Sequence, residues 1–116
     1  MGRILVQDPA AVIEQRVPFT FESGTILLQQ VFTGNLIDTA WVRIDTPFDD
    51  PSATIRMGIS ANPGLLFGPD DTDPSVVDQY TNQAVTEFSS MDYLSLIISP
   101  ASSTQGAGLL VYRFRR

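Results

Sequence analysis

Four aspartates crowd one short stretch of the chain, Asp70, Asp71, Asp73 and Asp78. Hard cations such as calcium take carboxylate and carbonyl oxygens at close spacing. The rest of a calcium framework is missing. With Asp71 counted as the first ligand, the positions that call for glycine and for a closing glutamate hold Val76 and Asn82. The same aspartates are suited to capping turns and solvating a loop, so no metal site is expected. Glycoside hydrolysis needs two carboxylates at a set separation, and among Glu14, Glu22, Glu87 and the aspartates nothing in the spacing selects a pair. Ser99, Ser102 and Ser103 are available as nucleophiles, but a serine must be activated by a base. The chain has no histidine and no lysine to serve, and no cysteine. The expectation is a protein without catalytic residues and without a cofactor.

Binding chemistry is better represented. Trp41, Tyr80, Tyr93 and Tyr112 could stack against sugars, whereas tryptophan and arginine are the residues enriched where proteins dock. Trp41 and Arg43 fall on the polar side of one alternating run, and Arg113, Arg115 and Arg116 form the one local basic cluster. These five are the candidate interface residues, together with Ile4, Leu5 and Val6, which are too apolar for a free tail and read as an arm lying on a neighbouring subunit. A net charge of −6 opposes any phosphate backbone, and Ile4–Val6 is far too short to span a bilayer. Neither nucleic acid nor membrane is expected as a partner. Charged residues make up 17% of the chain, below the ~25% usual for a soluble domain, which implies that part of the surface is covered by a partner.

The elements that must position these residues alternate with a period of two. Ala40, Val42 and Ile44 share one face of a strand while Trp41, Arg43 and Asp45 share the other. Ala53, Ile55, Met57 and Ile59 repeat the pattern. Further strands are predicted at 17–22, 25–32, 36–46, 84–88, 93–99 and 107–115. Gly34-Asn35 reads as the turn of a hairpin joining 25–32 to 36–46. The result is an all-β chain, an antiparallel β-sandwich or jelly roll of about seven to eight short strands. One core is expected to hold Val42, Ile44, Ile55, Met57, Ile59, Leu110, Tyr112 and Phe114. Residues 1–16 read as an N-terminal arm or first strand, with a short helix over 8–15 as the alternative. Residues 17–116 read as the sandwich, with a long loop over 62–82. The uncharged run Thr25–Phe32 would aggregate on a free edge, so it is expected to be central or covered.

Three stretches resemble small β-sandwich virion proteins of tailed bacteriophages: Gly34 to Asp49, Ala53 to Ser60, and Ser103 to Tyr112. The similarity covers Phe19 to Arg115. It implies a capsid decoration or cement protein, commonly a homotrimer, bound to the major capsid protein on the virion surface, or a head-fibre or tail component. The other reading is a tail-fibre or head-fibre module that binds host-surface glycans.

Overall fold

The computed structural model describes residues 12–116. Ile4, Leu5 and Val6 lie outside the described residues. Nine strands form two antiparallel sheets, with no helix among the described residues. They are β1 (Val12–Thr20), β2 (Thr25–Val31), β3 (Leu36–Thr46), β4 (Thr54–Ile59), β5 (Asn62–Phe67), β6 (Gln79–Asn82), β7 (Thr86–Glu87), β8 (Asp92–Ser99) and β9 (Ala107–Arg115). The first sheet runs β1-β9-β3-β6, with β7 also paired to β3, and the second runs β2-β8-β4-β5.

The alternating pattern sets which side chains enter the space between the sheets. Val42, Ile44, Ile55, Met57 and Leu110 have no exposure, and Tyr112 and Phe114 are nearly as enclosed. Ile59 packs against this core but is only partly buried. A polar bond crosses the core: the Tyr112 hydroxyl on β9 donates to Gln29 Oε1 on β2 at 2.8 Å. Gln29 reaches inward because β2 bulges between Leu27 and Gln29, and the extra residue restores the inward phase for Val31. Desolvation pushes the Tyr112 phenol up to about 12.

One expectation is corrected here and another narrowed. β2 and β3 do not form a hairpin, because they belong to different sheets. The turn chemistry is as expected, with Gly34 at φ 90° and Asn35 Oδ1 accepting from the Phe32 amide. Its ends are held elsewhere, since Gly34 N donates to the Phe88 carbonyl and Phe88 N to the Asn35 carbonyl. That clamp turns the corner between sheets and leaves no room for a β2–β3 ladder. Second, of the two places expected for Thr25–Phe32, central or covered, the central one is ruled out. β2 ends the second sheet, with its outer edge unpaired among the described residues.

Other differences are of extent. β1 starts at Val12, so 12–15 are strand, and β5 and β6 occupy the two ends of the 62–82 segment. Between them, residues 68–78 are a loop held by side chain to backbone bonds. Pro63 and Gly64 had masked the strand character of β5, which sits at the sheet edge where proline is tolerated.

Loops 21–24, 47–53, 68–78 and 100–106 gather at one end of the sandwich. Phe21 N bonds the Gly106 carbonyl and Phe48 N the Pro74 carbonyl, while Thr20 and Thr46 both lie opposite Ala107. This end holds Glu22, Asp45, Asp49, Asp50, Asp70, Asp71, Asp73 and Asp78, so most of the negative charge of the molecule is concentrated there.

Candidate docking faces

The two outer faces differ in chemistry. The strands of the first sheet carry eight charged residues: Glu14, Arg16, Asp38, Arg43, Asp45, Glu87, Arg113 and Arg115. Those of the second carry two, Arg56 and Asp92. Asp92 is spent on structure, its two oxygens accepting from the Ser60 and Ala61 amides, and its carboxyl is held below the usual range by hydrogen bonds, first from the Tyr93 amide.

On the first face Arg16, Val111 and Trp41 lie side by side across β1, β9 and β3. Val111 points away from the core cluster yet is only 2% exposed, and Trp41 is half-buried. The arginines are compensated within the chain. Arg43 Nε donates to Asp45 at 2.6 Å, which raises the affinity of the guanidinium for its proton. Arg115 lies 3.1 Å and Arg113 3.7 Å from Asp38. Asp38 sits in a bulge between Ile37 and Thr39, so it swings between two arginines that a regular ladder would have kept apart from it. The bulge carries no signature in the sequence, and the role of Asp38 was not legible there. Trp41, Arg43, Arg113 and Arg115 thus share one face of one sheet, with Arg116 at its end.

The second face is not among the candidate interface residues read from the sequence, although its run Thr25–Phe32 was expected to be central or covered. Leu27, Tyr93 and Ile97 point outward from β2 and β8, and Phe32 and Met91 lie just beyond the same strand ends. Leu27 is 63%, Phe32 53%, Met91 53% and Tyr93 45% exposed. The signal available was the uncharged run Thr25–Phe32 itself. Arg56 is the one charge among the outward residues, and its Nε is buried without a hydrogen-bond partner. A groove of about 340 Å³ opens beside β2, lined by Gln29, Gln30, Phe32, Asn35, Phe114 and Arg116.

The aspartates at the loop end hold turns. Asp71 accepts from the Gly68 amide, Asp73 from the Ser75 amide and hydroxyl, and Asp78 from the Gln79 amide. Asp49 and Asp50 tie loop 47–53 to loop 100–106 through Thr104, Ser102 and Ser103. Hydrogen bonds to the charged form, led by the Thr104 hydroxyl for Asp49 and the Ser52 amide for Asp50, hold both carboxyls below the usual range. Among the described residues no group of three or more acidic side chains is placed to share a metal ion. A second cleft, lined by Leu66, Phe67, Asp71, Thr81, Asn82 and Gln83, contains a single carboxylate.

The aromatic residues do not converge. Trp41 lies on the outer face of the first sheet and Tyr93 on that of the second. Tyr112 is in the core, and Tyr80 packs against it with its hydroxyl on the Asp73 carbonyl.

No protein-family model and no curated protein sequence matches the chain. Solved structures do. A chain of the acid-stable capsid of Helicobacter pylori bacteriophage KHP30 overlays with a TM-score of 0.71 at 11% identity, covering 94% of this chain and 90% of the other. A chain of the cyanophage Pam1 capsid overlays with a TM-score of 0.61 at 12% identity, covering 98% and 93%. A periplasmic inhibitor of g-type lysozyme from Aeromonas hydrophila reaches a TM-score of only 0.37 and carries no weight. From end to end, the β-sandwich of this chain is a fold found in phage capsids.

Proposed function

We infer that this chain is a non-enzymatic structural protein of a tailed-phage virion, a decoration protein that binds the outside of the head and stabilises the shell by bridging subunits of the major capsid protein. The observation that carries the reading is the near full-length correspondence with chains of two phage capsids. The composition supports it, because a chain without histidine, lysine or cysteine has little to react with. The strand orders β1-β9-β3-β6 and β2-β8-β4-β5 also support winding as a jelly roll, a common way for capsid proteins to protect their edges.

In this reading the first-sheet face, with Trp41, Arg43, Arg113, Arg115 and Arg116, lies on the shell, and the protein assembles as a homotrimer. Trp41 is the anchor at the centre of the contact. The arginines keep unused donors beyond their bonds to Asp38 and Asp45, and each contact is multiplied over many copies. The test is occupancy of purified particles by the wild type and by Trp41→Ala combined with Arg113→Ala, Arg115→Ala and Arg116→Ala. The expected result is loss of most copies from the variant at 0.15 M salt or about a tenfold drop in binding. Full occupancy by the variant removes this face from the mechanism, and absence of the wild type from particles removes the function. A glycan-binding module has less support, because its aromatic platform would have to be drawn from opposite faces of the sandwich.

A further inference from the structure

We propose that Asp38 is a positioning residue for docking: it orients the Arg113 guanidinium so that its terminal nitrogens receive a carboxylate of the shell, while Arg115 anchors Asp38 and does not reach the partner. The inference rests on the reading above that the first-sheet face lies on the shell.

The β3 bulge makes the arrangement possible. Asp38 is its spare residue, between the Ile37–Phe114 and Thr39–Arg113 rungs. Its side chain is only 17% exposed, whereas those of Arg113 and Arg115 stand nearly half in solvent. The two arginines are held differently. Arg115 Nε donates to Asp38 Oδ2 at 3.1 Å. Arg113 Nε stands 3.7 Å from Oδ1, too far for a hydrogen bond, and Oδ1 is buried without a hydrogen-bond partner among the described residues. Charge attraction across that gap is weakly screened because water does not reach the oxygen. Arg113 is therefore drawn by its Nε edge without being tied.

With Nε turned to Asp38, the two terminal nitrogens of Arg113 and their four N–H groups are left for a partner. Side by side they match one carboxylate through two parallel hydrogen bonds. The nearest carboxylates on the other strands of this face do not take that place. Glu14, opposite Arg113 on β1, pairs with Arg16 at 3.2 Å, and Glu87 lies on the Arg115 rung, beyond Leu36. Location favours Arg113 as well. On the outer face its rung is the next one to that of Trp41 and Val111, about 7 Å along the strand, and the Arg115 rung is one further. A charge beside the central anchor is shielded from water on docking, and one further out stays wet.

A diffuse basic patch predicts the opposite sign for one variant. Asp38→Asn keeps the shape of the side chain and removes a negative charge, so a face that binds an acidic shell by net charge alone would bind more tightly. A positioned arginine would bind less tightly. Association and dissociation rates of the purified chain on particles lacking it, at about 0.15 M salt, separate the two. Asp38→Asn should weaken binding about fivefold, the scale of leaving one long side chain to be ordered on docking. The loss should lie in faster dissociation, with association unchanged or faster. Arg113→Lys, which keeps the charge and loses the paired donors, should weaken binding by a similar factor, and Arg115→Lys by less than about twofold. Unchanged or tighter binding by Asp38→Asn overturns the positioning role, and equal losses at Arg113→Lys and Arg115→Lys overturn the division between the arginines. If melting curves show that Asp38→Asn does not fold, the two lysine variants decide. Each of these outcomes leaves the docking face standing. A wild-type chain that does not bind particles removes the docking reading and this proposal together, so the two failures are told apart.

Discussion

Both sheets contribute buried residues to one core, yet the outer face of one is closed and that of the other open. On the first, Val111 is sealed among its strand neighbours and four arginines bond carboxylates of the same chain. On the second, Leu27 and Tyr93 stand in solvent beside an unpaired edge. A surface that satisfies itself can be presented to water indefinitely. A charge-free one with open backbone groups is a liability unless something covers it. The contrast teaches that the charged face, which sequence reasoning singled out for docking, has already spent part of its charge on itself.

The largest effect should come from a place where the second face is closed. Gly58 points outward from β4, and a methyl group there would collide with the Asn62 carbonyl oxygen and the Pro63 backbone. Because this obstacle is backbone, Gly58→Ala should cost about 3 kcal/mol, read as a lower denaturant midpoint. A cost near zero would mean that the β4–β5 corner is loose and the two faces are more alike than described.

Val111 and Leu27 make the comparison directly, as outward aliphatic residues of opposite sheets. Val111→Ala should cost about 2 kcal/mol because it empties a sealed site, while Leu27→Ala should change stability of the isolated subunit by less than about 0.5 kcal/mol. Equal costs would break the distinction. The melts are done at low protein concentration so that covering by other copies does not contribute.

Tyr112→Phe sharpens the contrast from inside, since the Tyr112 hydroxyl is the partner of Gln29, the polar residue of the uncharged run that the β2 bulge turns inward. Its loss should cost about 1 kcal/mol. The pH dependence is a second readout. The folded phenol titrates at about 12 against 10.0 unfolded, so its contribution is complete below pH 10 and is lost as pH rises from there through the folded value. Tyr112→Phe should flatten that alkaline decline, and an unchanged slope would remove Tyr112 from it.

The smallest effect concerns the ends rather than the faces. Asp49 and Asp50 have folded pKa values below 3.8, so their contribution is present above pH 3.8 and lost as pH falls through the lower folded values. Both carboxyls are exposed, so the effect is modest. Asp49→Asn with Asp50→Asn should reduce the acid sensitivity of the melting temperature below pH 4 and leave its alkaline limb intact. An acid limb identical to wild type would show that other groups set it.

Residues near one another in the chain determined a good deal. The inward phases of Val42, Ile44, Ile55, Met57, Leu110, Tyr112 and Phe114 were legible because a strand alternates with a period of two, whatever it pairs with. Gly34-Asn35 announced a turn because few residues accept positive φ. The absence of histidine, lysine and cysteine is a matter of composition alone. What only the tertiary structure decided is adjacency. Thr25–Phe32 became an edge, and the Gly34 turn a corner between sheets, because the partners of these strands are chosen by contacts far apart in sequence, such as Phe88 with Asn35 and Ala107 with both Thr20 and Thr46. The bulge at Asp38 that pairs Arg113 and Arg115 in cis is likewise a product of fitting β3 to β9. Local sequence specifies which side of a strand is apolar. It does not specify which strand lies next to it, and the docking surface follows from that neighbour.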